Sequence, residues 1–314
     1  MPASKTEGPA FLVLGAAKSG TTALYTQLGQ HPDVCLPSVK ETNFFALENH
    51  QLDFRGPGDH EALTKSDAVS TVTRWDDYLQ KFSDCPDSSV HGEICPLYLY
   101  SSEAPKRIHR YVPEALLIAI LRHPADRAYS AYRMMLTAGR ETETNFRRAL
   151  ALESSRIQKG WESAWHYQAM GRYSEQLQRY MALFPRQQLR IYLYDDFARH
   201  PQVILDDLCD FIGIDRFSPD LSARPGMTGI PRSQWLQRTL TRPNPLRSTL
   251  RRVVPVSWRR GLGSTVAKWN RRIPVFDPEI RQWLTESLRK EILDLQRLIG
   301  RDLSHWLGEE STSP

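Results

Sequence analysis

Apolar positions along the chain follow two rhythms. Residues 11–15 (FLVLG), 115–122 (ALLIAILR) and 189–197 (LRIYLYDDF) are short apolar runs rich in branched or aromatic side chains, the signature of buried strands. Residues 21–29 and 172–183 carry apolar side chains at helical spacing between those runs. Strands that alternate with helices imply an α/β fold, with a central parallel sheet covered by helices on both faces. Near the C-terminus, Ile280, Leu284, Leu288, Ile292 and Leu295 share one face of a long amphipathic segment, with Gly300 placed to end it. That segment reads as a helical extension docked on the same domain. Residues 48–89 are polar and rich in Gly, Pro and Asp, with a helix expected around RWDDYLQKF; they read either as an insertion over the ligand side or as a surface connection. The expected organisation is one domain over 10–308, with a core at 10–235, a helical C-terminal extension at 236–308, and disordered ends at 1–9 and 309–314. No internal repeat is visible.

With 314 residues, 40% of them hydrophobic, the chain can bury a sizeable core, which confines expected disorder to the ends. The formal charge of +5 suits an anionic ligand without itself indicating nucleic acid. Basic residues concentrate from Arg232 to Arg272, a stretch that reads as a solvated face or an anion-attracting rim in preference to a nucleic-acid or membrane patch. Cys35, Cys85, Cys95 and Cys209 show no CxxC spacing and no nearby histidine pair, so reduced thiols are expected and no metal site. The polar N-terminus and the short apolar run after it offer neither a signal h-region nor a spanning helix, which implies a cytoplasmic chain without stable membrane association.

The run at 11–15 leads into AAKSGTT. Ala16, Ala17, Ser19 and Gly20 let a backbone turn approach an anion, and the following helix end adds N–H groups and positive potential. Gly15 and Gly20 have the glycine spacing of a Walker loop. Thr21 stands where that loop carries its lysine, however, and Lys18 lies inside the turn, which counts against an ordinary kinase or NTPase. A second cluster, RHPADRAYSAY, puts Arg122 at a strand end and Ser130 eight residues on in the next helix, where a guanidinium fork and a hydroxyl converge on a further phosphate.

Together these motifs resemble sulfotransferases that use 3'-phosphoadenosine 5'-phosphosulfate (PAPS), in the bacterial and glycan-sulfotransferase-like branch. GAAKSGTTALYTQL resembles their 5'-phosphosulfate loop and RHPADRAYSAY their 3'-phosphate motif. SVKETNFF is similar to their KExxFF segment, GEICPLY to GExxPxY, and the C-terminal RDLSHW to bacterial members. The resemblance covers residues 11–235 well and the remainder loosely, and implies a P-loop-like three-layer fold. It implies that Ala17, Lys18, Ser19, Gly20, Thr21 and Thr22 hold the 5'-phosphosulfate, that Arg122 and Ser130 hold the 3'-phosphate, and that Arg232, in the loop at 223–233, is a further cofactor contact. Product would leave as adenosine 3',5'-bisphosphate (PAP), with no metal. Lys18 would follow negative charge onto the leaving oxygen, Glu41 would act as general base, and Lys40 would touch the sulfuryl oxygens or the acceptor.

Many relatives carry a histidine where this chain has Asn43, which removes a second titratable group. Glu93 reads equally as an acceptor-orienting group or a structural pair, His123 as a turn-shaping residue, and His91 as a reserve base. The expected reaction is sulfuryl transfer to a hydroxyl of a polar small molecule or saccharide. The alternatives are N-sulfation of an amine or guanidine, a kinase or NTPase, and a non-catalytic nucleotide-binding protein. A monomer or homodimer without nucleic-acid partners is expected.

Overall fold

A computed structural model describes residues 8–53, 55–57, 71–86, 88–222, 230–231, 271–272 and 275–308. Five parallel strands form its centre: β1 (Phe11–Gly15), β2 (Val34–Cys35), β3 (Val90–Ile94), β4 (Leu116–Leu121) and β5 (Leu189–Leu193), in the order β2-β3-β1-β4-β5. The uninterrupted apolar runs of β1 and β4 follow from this arrangement. Successive side chains leave a strand on opposite faces, and here both faces are covered. Phe11, Val13, Ile118 and Ile120 pack on one side with Leu24 and Leu28 of α1 (Thr21–Leu28). Leu12, Leu14, Leu117, Ala119 and Leu121 pack on the other with α2 (Pro124–Thr137) and α3 (Tyr173–Met181). The helix α4 (Pro201–Ile212) completes the first layer through Leu205, Leu208 and Ile212.

The second layer also receives the C-terminal segment, through Leu284, Leu288, Ile292 and Leu295. The expected apolar face is present, but the segment is two helices, α5 (Pro278–Ser287) and α6 (Arg289–Ile299), broken at Leu288. Ser287 Oγ donates to the Leu284 carbonyl at 2.7 Å, a local bond that competes with the helical ladder. Gly300, at φ 65°, closes α6 in the left-handed conformation.

Other expectations are corrected. The run at 189–197 is strand only to Leu193, and Tyr194–Arg199 is helical, with Asp195 and Asp196 favouring the positive end of its first turn. The reduced-thiol reading fails for one pair: Cys35 and Cys85, 50 residues apart, form a disulfide with Cα atoms 5.7 Å apart, while Cys95 and Cys209 are free and buried. The bond joins the end of β2 to the turn after the helix Trp75–Leu79, so it closes the excursion between those two points. Arg232, most of the loop at 223–233, the basic residues 232–270 and the two chain ends lie outside the described residues. Among the described residues no helix is long and apolar enough to cross a membrane.

Candidate active site

β1 ends in a turn whose shape depends on small residues. Gly20 caps α1 at φ 91°, and a Cβ there would come within 3.2 Å of Phe197 and 3.3 Å of Tyr194, so only glycine lets the turn lie against the helix after β5. No side chain caps α1, which leaves its first-turn N–H groups available beside Gly20, Thr21 and Thr22, all of which line a cleft of about 2050 Å³. Ala17 and Lys18 line the same cleft. Ser19 lies beneath it, fully buried next to the Tyr173 hydroxyl, and its Oγ makes no well-formed hydrogen bond.

Lys18 takes the left-handed conformation at φ 70° and places Nζ 3.4 Å from the sulfur of Met134. Burial, then the charge of Arg122, pushes its pKa down; Glu41 acts in the opposite sense, and Arg127 and Lys40 add to the depression. Among the described residues the turn thus faces several cations, with Glu41 the carboxylate that acts on Lys18 and Glu153 the one that acts on Arg127.

At the end of β4, Arg122 reaches back to the turn, donating from Nη1 to the Lys18 carbonyl at 3.1 Å while its guanidinium lies over the Tyr194 ring at 4.7 Å. Ser130, in α2, lines the same cleft. His123 shapes the turn, as expected. Its Nδ1 accepts the Ala125 N–H at the start of α2, and Nε2 donates to the Trp306 carbonyl at 2.8 Å. Burial holds its pKa low, which suits this neutral, bridging ring. Trp306 in turn donates from Nε1 to Asp195 at 3.1 Å, so the C-terminal SHW braces the chain just after both β4 and β5.

The site also includes Arg127, for which the sequence motifs imply no role. It is fully buried at the cleft floor, donates from Nη2 to the Tyr167 carbonyl, and leaves Nε and Nη1 without partners. Its signal was present as the second arginine of RHPADR.

The KETN segment forms the opposite wall. Lys40 and Glu41 pair with each other and both line the cleft, the Glu41 side chain being 45% exposed. Glu41 and Asn43 are both left-handed, at φ 65° and 59°. Asn43 also lines the cleft but is engaged, donating to Thr71 Oγ1 and accepting from Cys95 Sγ at 3.2 Å each. Glu93 does not line the cleft; it is buried behind this segment. His91 stacks on Phe82 and lies off the cleft as well. His50 to Asp53 line the cleft, so the start of the 48–89 segment is on the ligand side.

The structure therefore brings Ala17, Lys18, Gly20, Thr21, Thr22, Lys40, Glu41, Arg122 and Ser130 to one cleft, sets Ser19 under its floor, and leaves Arg232 undescribed. An anion-ready turn after the central strand and a basic strand end beside it define a P-loop-like group-transfer enzyme. The chain belongs to the sulfotransferase family, whose model, described as "Sulfotransferase family", matches residues 9–219. Over 95% of its length it superposes on the crystal structure of a sulfotransferase from Alicyclobacillus acidocaldarius, covering 98% of that chain with a TM-score of 0.74 and 30% identity. It is also 26% identical, over 96% of its length, to bifunctional heparan sulfate N-deacetylase/N-sulfotransferase 4 of Mus musculus and, at the same identity and coverage, to N-deacetylase/N-sulfotransferase 3 of Homo sapiens. The chain spans 31% of the length of each of these two relatives. The kinase or NTPase alternative gives way to this family membership.

Proposed function

We propose that the protein transfers a sulfuryl group from PAPS to a hydroxyl of a polar small molecule or saccharide, with Glu41 as general base. The observation that carries this reading is the convergence of the Lys18 turn, the Arg122 and Ser130 pair, and Glu41 on one cleft. The residues fit an anionic nucleotide donor. Lys18, Arg122, Arg127 and Lys40 lie close together, with Glu41 acting on Lys18 and Glu153 on Arg127, and two N–H groups of buried Arg127 lack hydrogen-bond partners under the turn. PAPS, when bound, supplies the sulfuryl group and departs as PAP.

In this reading the first-turn N–H groups of α1, with the Thr21 and Thr22 hydroxyls, bind the 5' end, and Arg122 and Ser130 bind the 3'-phosphate. Lys18 meets negative charge that develops on the leaving oxygen, where a preorganised cation in a partly dry site is most effective. Glu41 takes the proton of the attacking nucleophile, and Lys40, now paired with it, is free to turn toward sulfuryl oxygen once that carboxylate is engaged. An amino group is the second reading, favoured by the N-sulfotransferase relatives.

Two measurements test the proposal. Thermal shift with PAP, ADP and magnesium-ATP should show stabilisation by PAP above the other two; stabilisation by magnesium-ATP alone would overturn the donor assignment. Turnover of PAPS with a glucosamine oligosaccharide and with its N-acetylated form then separates the acceptors. Equal turnover supports a hydroxyl, and turnover confined to the free amine supports N-sulfation.

A further inference from the structure

Glu93 lies behind the KETN wall, 1% exposed, with no cation among its hydrogen-bond partners. Its Oε1 accepts the backbone N–H of Thr42 at 3.2 Å and the Thr42 hydroxyl at 2.6 Å. Its Oε2 accepts the hydroxyls of Tyr78 at 2.7 Å and Tyr98 at 2.8 Å. Four groups thus converge on one carboxyl and satisfy both of its oxygens without a cation; burial pushes its pKa up, and these hydrogen bonds act against that shift.

What this carboxylate grips is the residue between two strained neighbours. Glu41 and Asn43, on either side of Thr42, both adopt left-handed backbone, which costs a residue with a Cβ about 1–3 kcal/mol and persists only where the surroundings over-determine it. Here they do. Glu93 holds Thr42 from β3, the Thr42 carbonyl accepts the Val72 N–H at 2.8 Å, and Cys95 and Thr71 hold the Asn43 side chain from two sides. The left-handed kink at Glu41 turns that residue toward the cleft while Thr42 faces the interior.

We infer that Glu93 is the positioning residue for Glu41: by fixing Thr42 between two left-handed residues, it sets where the Glu41 carboxylate stands in the cleft. The inference rests on the proposed role of Glu41 as base. It also gives GEICPLY a physical meaning. The Glu and Tyr of that motif, Glu93 and Tyr98, bond each other behind the wall, and Gly92 is required because a Cβ there would lie 2.0 Å from the Phe11 ring.

The test is a double-mutant cycle with Glu93→Gln and Glu41→Gln, read as kcat and KM for PAPS with the better of the two glucosamine acceptors, together with hydrogen exchange across residues 39–45. Replacing one oxygen by an amide donor breaks the four-donor arrangement without changing its size. Glu93→Gln should speed exchange in that segment and lower kcat by about 10- to 100-fold, the cost of misplacing a reacting group by about an ångström. KM for PAPS and the affinity for PAP should stay within about twofold, and in the Glu41→Gln background the same change should cost less than about twofold. Thr42→Val, which keeps the shape and loses the hydroxyl, should repeat the pattern more weakly. Unchanged exchange, or an equal loss of kcat in both backgrounds, would overturn the positioning role while leaving Glu41 as base. Full turnover by Glu41→Gln itself would overturn the base assignment and the inference with it.

Discussion

Cutting the Cys35–Cys85 disulfide, by reduction or by the double substitution Cys35→Ser with Cys85→Ser, should weaken the fold by an amount set by the loop it closes. The bridged residues are 50 apart. Chain-entropy estimates for a closed loop of that length give about 4 kcal/mol at 25 °C, and measured values fall mostly at about 2–4 kcal/mol. Urea unfolding of the oxidised protein and of the double variant, followed to a common baseline, reads the difference directly. Thiol titration of the denatured, unreduced protein is the companion assay: two reactive groups are expected, from Cys95 and Cys209. Because Lys18, Arg122 and Ser130 lie outside the closed loop and Glu41 lies inside it, PAP affinity should survive the cut unchanged. Four titratable thiols, or identical unfolding midpoints with and without reductant, would refute the reasoning.

Removing Lys18 (Lys18→Ala) should lower kcat by about 10²- to 10³-fold, as for loss of one preorganised donor at a site of developing charge, measured by PAP release. Arg122→Ala should weaken PAP binding by roughly 10- to 100-fold, the worth of a charge-assisted bond, while leaving ADP, which lacks the 3'-phosphate, nearly unaffected in calorimetry. Lys18 has its pKa depressed by burial and by Arg122, so it loses its charge below the ordinary lysine value of about 10.4. PAP affinity should therefore fall as pH rises through that depressed value, and Lys18→Arg should abolish the fall. The same shift means the folded, ligand-free protein binds fewer protons at Lys18 than the unfolded chain does between the depressed and the ordinary value. Its contribution to stability consequently rises with pH across that window. Trp306→Phe should cost about 1 kcal/mol in urea unfolding through loss of the bond to Asp195.

The proposed donor side of the site is legible in the sequence because its parts are local. The turn at 15–22 and the Arg122 to Ser130 motif each fit within a strand end and one helix, where spacing fixes geometry. The same holds for the strands β1 and β4, whose burial on both faces writes continuous apolar runs, whereas the run of β5 is interrupted by the exposed Arg190. The two-residue β2 left no periodic signal, and β3 reads VHGEI, with polar residues where a buried strand would show apolar ones. The support of Glu41 was illegible for a different reason. Glu93 and Thr42 are 51 residues apart, and Tyr78 reaches Glu93 from a third segment, so only the assembled sheet reveals that the ambiguous glutamate is a structural anchor. Cys35 and Cys85 meet in the same way, with no motif to announce them. The unpaired N–H groups of Arg127 are likewise a property of packing, invisible in a list of residues.

The brace formed by Trp306 has a consequence for the order in which the protein becomes competent. His123 and Trp306 are separated by 183 residues, a stretch that a ribosome at about 5–20 residues per second needs roughly 10 to 40 seconds to add. Throughout that interval the nascent chain already holds the turn after β1 and the Arg122 strand end, but the backbone beside them lacks its clamp. Donor binding should thus be acquired only once Trp306 has been added, so that a chain stalled before Trp306 would carry every proposed donor-site motif and still hold the nucleotide poorly.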